Sequence, residues 1–212
     1  MISYTKYLST TAVYCNDREL KSGSTYKVAN YIKNDTETLI AYLDAEDTKK
    51  TIIAAPTPGV VGFDFKPYER LEANKTPTYD CTNDNDKFTV DASAGNGKLT
   101  YPIALMAADE IAYAGGVYET NAPMWYYTNS SLESSTGTTY WWSLSPSDWN
   151  GGYAWSWYVH GSGYPGDLNS NGAVHASYGV RPAVSLKACI KYSTGDGSAS
   201  DPYTIKETTS GC

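Results

Sequence analysis

Basic residues are scarce in this sequence: 16 Lys and Arg stand against 23 Asp and Glu, for a net charge of −7 over 212 residues. Counterion release from a phosphate backbone needs clustered Lys and Arg, so nucleic acid is excluded as a partner. Long hydrophobic runs are missing as well. No apolar stretch approaches the roughly 18 residues of a membrane span, which excludes direct membrane insertion. The opening Met1-Ile-Ser-Tyr-Thr-Lys has no signal-peptide core, so an exported chain starting here is expected to have lost its signal already. Aliphatic content is low: Leu, Ile, Val and Phe number 33, about 16%, under the level of ~20% that in a highly charged chain marks disorder. Rings make up the deficit, with 20 Tyr and 6 Trp. Each can bury about 150–250 Å², so a core built on aromatics is sufficient to fold. The length suits one generous domain or two small ones, and a single domain over 1–212 is expected.

The four cysteines, Cys15, Cys81, Cys189 and Cys212, are far apart and form no Cys-x-x-Cys pair. Metal sites usually take two ligands from one short turn, so structural zinc is not expected. Distant single cysteines in a chain rich in Tyr, Asn, Ser and Gly point to disulfides in an exported protein, with four reduced buried thiols as the alternative. Of the three possible connectivities, Cys15–Cys81 with Cys189–Cys212 is preferred.

Ser24 to Ile32 alternates as a half-buried strand, and Asp35 to Glu46 reads as a short amphipathic helix with Leu39, Ile40 and Leu43 on one face. Phe88-Thr-Val is a strand, Asn96-Gly97 a hairpin-type turn, and Lys98 to Leu105 a further strand. It leads into a helix beginning at Ala107, with Asp109 and Glu110 in the favoured first turn and Gly115 as its left-handed cap. This acidic pair is read as helix chemistry before catalysis. Later strands are expected at Thr139–Leu144, Gly152–His160, and Gly172 to Leu186 broken at Pro182.

Composition changes sharply at Tyr140 to Tyr178. This segment holds five of the six tryptophans and both histidines, has no Lys, Arg or Glu, and carries only Asp148 and Asp167 as charges. Stiff rings supply contact area while Ser, Gly and Asn supply adaptable hydrogen bonds, the chemistry of a binding surface. Trp142 and Leu144 are expected in the core. The rings from Trp149 to Tyr164 lie among Gly, Ser, Pro and Asn, and most of them are expected to face outward.

Little else points to a reaction. His160 and His175 would need a third group to hold a metal or move a proton; Asp167 is the candidate, but histidines that stack or hydrogen-bond are the preferred reading. No Gly-x-Ser-x-Gly elbow, His-Glu-x-x-His or phosphate-cradling loop occurs. Asp196 and Asp201 offer oxygens to calcium, yet an Asx-rich turn explains them more simply. No metal and no cofactor are expected, and the chain is read as a non-enzyme.

Five stretches resemble a family. Asp86-Lys-Phe-Thr-Val, Asn96 to Gly116, Trp142-Ser-Leu-Ser-Pro, Tyr178-Gly-Val-Arg-Pro-Ala-Val-Ser-Leu and Gly195 to Ile205 look like an exported bacterial domain. That domain is similar to the C-type-lectin-like fold of formylglycine-generating-enzyme-type modules and of the variable proteins of diversity-generating retroelements. The likeness covers about residues 75–205; residues 1–70 match poorly. It implies an α+β, C-type-lectin-like fold, with short helices around twisted antiparallel sheets and extensive loops. Gly179-Val-Arg-Pro would be a late core strand, with Arg181 a buried strut. The ligand-binding positions would come from Trp149, Asn150, Tyr153, Trp155, Trp157, His160, Tyr164, Asp167, Asn169, Asn171, His175 and Ser177. The paired active-site cysteines of the enzymes are absent, as are the Glu-Pro-Asn and Gln-Pro-Asp tripeptides of sugar-binding lectins. The resemblance therefore implies an extracellular or cell-surface binding module for a protein or glycan ligand. Its alternatives are a tip subunit of a surface fibre or pilus and a metal-dependent oxidase of the formylglycine-generating type.

Overall fold

The computed structural model describes residues 4–19, 21, 63–90, 97–122, 140–149, 154–160, 164–198 and 200–211. The strand expected at Ser24–Ile32 and the helix expected from Asp35 lie outside these residues. Strands β1 (Tyr14–Cys15) and β2 (Phe63–Asp64) precede helix α1 (Lys66–Tyr68), which continues as a wider-wound turn over Glu69–Asn74. Next come β3 (Lys87–Thr89), β4 (Gly97–Lys98), β5 (Ala104–Leu105), α2 (Ala108–Tyr113) and β6 (Val117–Tyr118). The long strands follow, β7 (Tyr140–Trp149), β8 (Ala154–His160) and β9 (Asp167–Ala173). Short β10 (Pro182–Ala183), β11 (Tyr192–Thr194) and β12 (Thr204–Ile205) complete the order. The architecture is mixed α+β, with few helices and mainly antiparallel sheets.

A five-stranded sheet in the order β2-β7-β8-β9-β6 is the frame. Its inner face carries Trp141, Trp157, Val159 and Leu168, which close with Leu71, Ala108, Ile111 and Ala122 into the main core. Trp157 is fully buried, with Tyr68 and Tyr118 against its indole at ring separations of 6.4 and 5.8 Å. Arg181 is buried as well, its guanidinium 4.8 Å from the Trp141 ring.

The strand expected to end at Leu144 instead runs through Pro146 to Trp149. Opposite β8 its register slips between Trp142 and Pro146 and again between Pro146 and Asp148. Proline has no N–H to donate, and a slipped ladder is where that loss is tolerated. Ser143, Ser145 and Ser147 flank it, all fully buried. Their hydroxyls bond where the ladder is broken: Ser143 Oγ donates to the Trp157 carbonyl at 2.9 Å, and Ser145 Oγ accepts the Ala108 N–H at 3.0 Å. The outer edge of β7 is covered piece by piece. β2 pairs with Asp148 and Trp149, Phe65 N–H donates to the Ser147 carbonyl, Leu144 N–H donates to Met106, and Gly179 exchanges bonds with Tyr140 and Trp142.

Three further expectations are corrected. The strands on either side of the hairpin expected at Asn96-Gly97, β3 and β4, pair in parallel, Phe88 with Gly97, and Asn96 lies outside the described residues. The strand expected over Lys98–Leu105 is interrupted by bends at Thr100 to Pro102 and splits between two sheets. Of the strand expected from Gly172 to Leu186 only its first two residues, at the end of β9, and Pro182–Ala183 are strand, apart from single bridges at Gly179 and Leu186, whereas residues 167–171, read as loop, pair between β8 and β6.

Cys15 and Cys81 form a disulfide with a Cα separation of 5.8 Å. Cys189 is disulfide-bonded too, and its expected partner Cys212 lies outside the described residues. A disulfide suits a non-reducing compartment. No helix among the described residues is long and apolar enough to cross a membrane.

Candidate binding surface

A strand's side chains alternate between faces. Trp155, Trp157 and Val159 therefore share one side of β8, while Ser156, Tyr158 and His160 share the other. The second side is aromatic. β7 adds Tyr140 and Trp142, and the segment before β10 adds Tyr178, stacked on Trp142 at 4.3 Å and 28°. Tyr178 also lies 5.2 Å from both Tyr140 and Tyr158, and Tyr140 meets Tyr158 edge-on at 5.6 Å. Leu105, Trp142 and Tyr158 are buried at its base, under half-buried Tyr140, Leu144, Ala176 and Tyr178.

Glycine makes this approach possible. A Cβ on Gly172 would stand 2.7 Å from Trp142 Cζ3, 2.8 Å from Tyr158 Cδ1 and 2.9 Å from the Ser156 carbonyl oxygen. Nearby the β8–β9 register slips by one, so that Ser170 and Asn171 both oppose Trp157. The extra residue brings Asn171 to the aromatic side, where its Oδ1 accepts the Tyr158 hydroxyl at 2.8 Å.

His160 ends β8 inside a ring of aromatics, 4.7 Å from Tyr140, 5.2 Å from Tyr158 and 5.6 Å from Tyr164. Its Nε2 lies 3.1 Å from the Tyr158 hydroxyl and 3.8 Å from Asp167 Oδ2. Burial lowers the His160 pKa, against the pull of Asp167; burial likewise raises Asp167, against the pull of His160. Tyr158 is raised mainly by burial, so its phenol is a fixed neutral hydroxyl at any physiological pH.

Of the positions expected on a binding surface, the structure brings His160, Asp167, Asn169 and Asn171 to this face, with Tyr164 on the β8–β9 connection above it. Tyr164 is 58% exposed. His175 and Ser177 are exposed on either side of Ala176, at the rim. Two expectations need correction. Trp157 is core, because alternation turns it inward, and Trp155 shares its side of the strand and is half-buried. Asp167 is buried behind His160 and is no direct contact. Asn150 and Tyr153 lie outside the described residues, as does the Trp149 side chain. Tyr140, Tyr158 and Tyr178 were missed; period-two alternation through Tyr140-Trp-Trp and Tyr158-Val-His was the signal for the first two.

Neither a family model, nor a curated protein, nor a solved structure matches the chain.

Several other acidic groups among the described residues are occupied structurally. A cleft of about 170 Å³ beside the Cys15–Cys81 bridge is lined by Asp17, Arg70, Asp109 and Glu110, with Tyr79 at its wall. Arg70 donates to Asp109 through Nε at 2.9 Å and Nη2 at 2.7 Å, and also holds Asp17. Asp109 further accepts the Thr78 N–H, and Glu110 caps its own helix by accepting the Ala107 N–H at 2.7 Å. Asp196 and Asp201 build an Asx turn, Asp196 Oδ1 accepting the Ser198 N–H at 2.8 Å. No grouping of three metal-ligating side chains occurs among the described residues.

Chemically, the aromatic side offers ring faces and edges, amides and a hydroxyl, with its one carboxylate screened from solvent. Such a surface binds by stacking and neutral hydrogen bonds.

Proposed function

We propose that this chain is a non-enzymatic, exported ligand-binding module of the C-type-lectin-like kind, which grips a protein or glycan through the outer face of β7–β9. The observation that carries this reading is a half-open network of five rings and an imidazole, Trp142, Tyr140, Tyr158, Tyr178, Tyr164 and His160, on a sheet whose opposite face is fully engaged in the core. Trp142 and Tyr158 are covered at its base, Tyr140 and Tyr178 are half-buried above them and Tyr164 is exposed, so the network opens outward. The site has shifted from the sequence expectation: Tyr164, Tyr140 and Tyr178 are the anchors, Asn169, Asn171, His175 and Ser177 the adaptable rim, and Trp157 the frame beneath.

The test is a screen of the purified chain against an immobilised glycan array and a panel of extracellular proteins, repeated with Tyr164→Ala/His175→Ala. Capture should fall at least tenfold in the variant, the loss expected for an anchor residue, while its unfolding midpoint stays within a few degrees of the parent. Capture that survives the double change places the ligand elsewhere. Diversification of the gene by a retroelement is a separate proposal. It requires a near-copy whose differences fall at adenines in the codons for residues 149–178, and sequencing the flanking DNA decides it.

A further inference from the structure

His160 stands among the rings of the aromatic face and carries an imidazole, the side chain that changes charge near neutrality. The groups around it come from every neighbouring element. β7 contributes Tyr140, β8 Tyr158, and the β8–β9 connection Tyr164, while β9 contributes Asp167. Behind these stand Tyr178, which acts on Tyr158, and Glu119, which acts on Asp167. The Tyr158 hydroxyl has one proton. It is donated to Asn171 Oδ1 at 2.8 Å, so Tyr158 accepts from His160, which assigns the neutral ring its proton on Nε2.

The same Nε2 lies 3.8 Å from Asp167 Oδ2, just beyond hydrogen-bond reach, and Asp167 Oδ1 is buried without a direct hydrogen bond. A buried carboxylate with one oxygen unpartnered and the other 3.8 Å from a basic ring nitrogen is a contact waiting for a proton.

We propose that His160 is a proton-operated latch under the binding face. Gaining a proton on Nδ1, the ring swings its Nε2–H from the Tyr158 oxygen to Asp167, and the edge on which Tyr140 and Tyr164 rest moves with it. No covalent bond changes; one proton enters from solvent and an imidazolium–carboxylate pair forms. The pair is doubly charged only where His160 is protonated and Asp167 is not. Burial lowers the first from its ordinary 6.5 and raises the second from its ordinary 3.8, so the working window lies inside these limits. Ring positions set near pH 7 are thus altered in mild acid. This regulation rests on reading the face as the binding surface, but its test needs no ligand, so either idea can fail without the other.

The experiment is an NMR titration of the full chain, labelled in His and Tyr, from pH 8 to pH 4. Loss of a signal in His160→Gln assigns the His160 resonance. Expected is one midpoint below 6.5 shared by His160 and the rings of Tyr140, Tyr158 and Tyr164, with those rings insensitive to pH in His160→Gln. In Asp167→Asn the His160 midpoint should fall by at least half a pH unit and the rings should no longer follow it. Rings that ignore His160 in the parent chain overturn the latch, as does an unchanged midpoint in a folded Asp167→Asn. Should that variant fail to fold, rings that still titrate in His160→Gln overturn it on their own.

Discussion

The two faces of the β7–β8–β9 sheet are built from the same residue types and are closed to different extents. Inside, Trp141, Trp157, Val159 and Leu168 are closed over by α2 and the turn after α1. Outside, Tyr140, Trp142, Tyr158, His160 and Tyr178 pack on one another, with Tyr164 left largely in solvent. The comparison teaches that a tryptophan's neighbours in sequence do not decide its exposure. What decides is which elements stack on its side of the sheet.

The largest expected effect is on the inner face. Trp157→Ala leaves a void beneath Tyr68 and Tyr118 and should cost about 3–5 kcal/mol, read as a lowered urea midpoint; a loss under 1 kcal/mol would make the two faces equivalent. Gly172→Ala tests the packing of the outer face. The added methyl meets two rings and a backbone carbonyl at under 3.0 Å, so a destabilisation of about 1–3 kcal/mol is expected, together with altered near-ultraviolet dichroism.

At the far end of β7 the sign reverses. Asp148 stands opposite Asp64 across the strands, and burial first, with Asp64 and Glu72 adding repulsion, pushes it up to about 6. A carboxyl raised in the folded state destabilises it wherever the carboxylate form prevails. The penalty is complete above about pH 6 and disappears as the pH falls towards the ordinary value of 3.8. Asp148→Asn should therefore stabilise the chain at pH 7 by about 1 kcal/mol, after allowance for partial exposure, and the gain should shrink on acidification; thermal melts at pH 7 and pH 4.5 check this. The smallest effect belongs to the rim. Tyr164→Ala should change stability by less than about 0.5 kcal/mol, as exposed sites do, and a larger loss would show this ring to be part of the frame.

Helix α2 was legible because Asp109, Glu110 and Gly115 are local signals, and Gly115 does take the left-handed conformation at φ 98°. The Asx turn at Asp196 was legible for the same reason. β9 was hidden. Its sequence, Asp167-Leu-Asn-Ser-Asn-Gly-Ala, has low strand preference, and what makes it a strand is pairing with β8 on one side and β6 on the other. Trp157 was misjudged because Ser, Gly and Pro around it were taken for loop. In fact the serines bond within a bulged strand, and the glycine gives a ring room. The aromatic face was half legible: His160, Tyr164, Asn169 and Asn171 were named, but the tyrosines beneath them become visible only when strand alternation is carried through both β7 and β8.

The patchwork along the outer edge of β7 also bears on how the protein behaves in a crowd. A tryptophan-rich, weakly charged ribbon ten residues long would ordinarily invite a second molecule to add its own strand, the first step towards fibres. Here three separate pieces of chain occupy that border, so concentrated solutions should stay free of ordered aggregates for as long as those pieces hold.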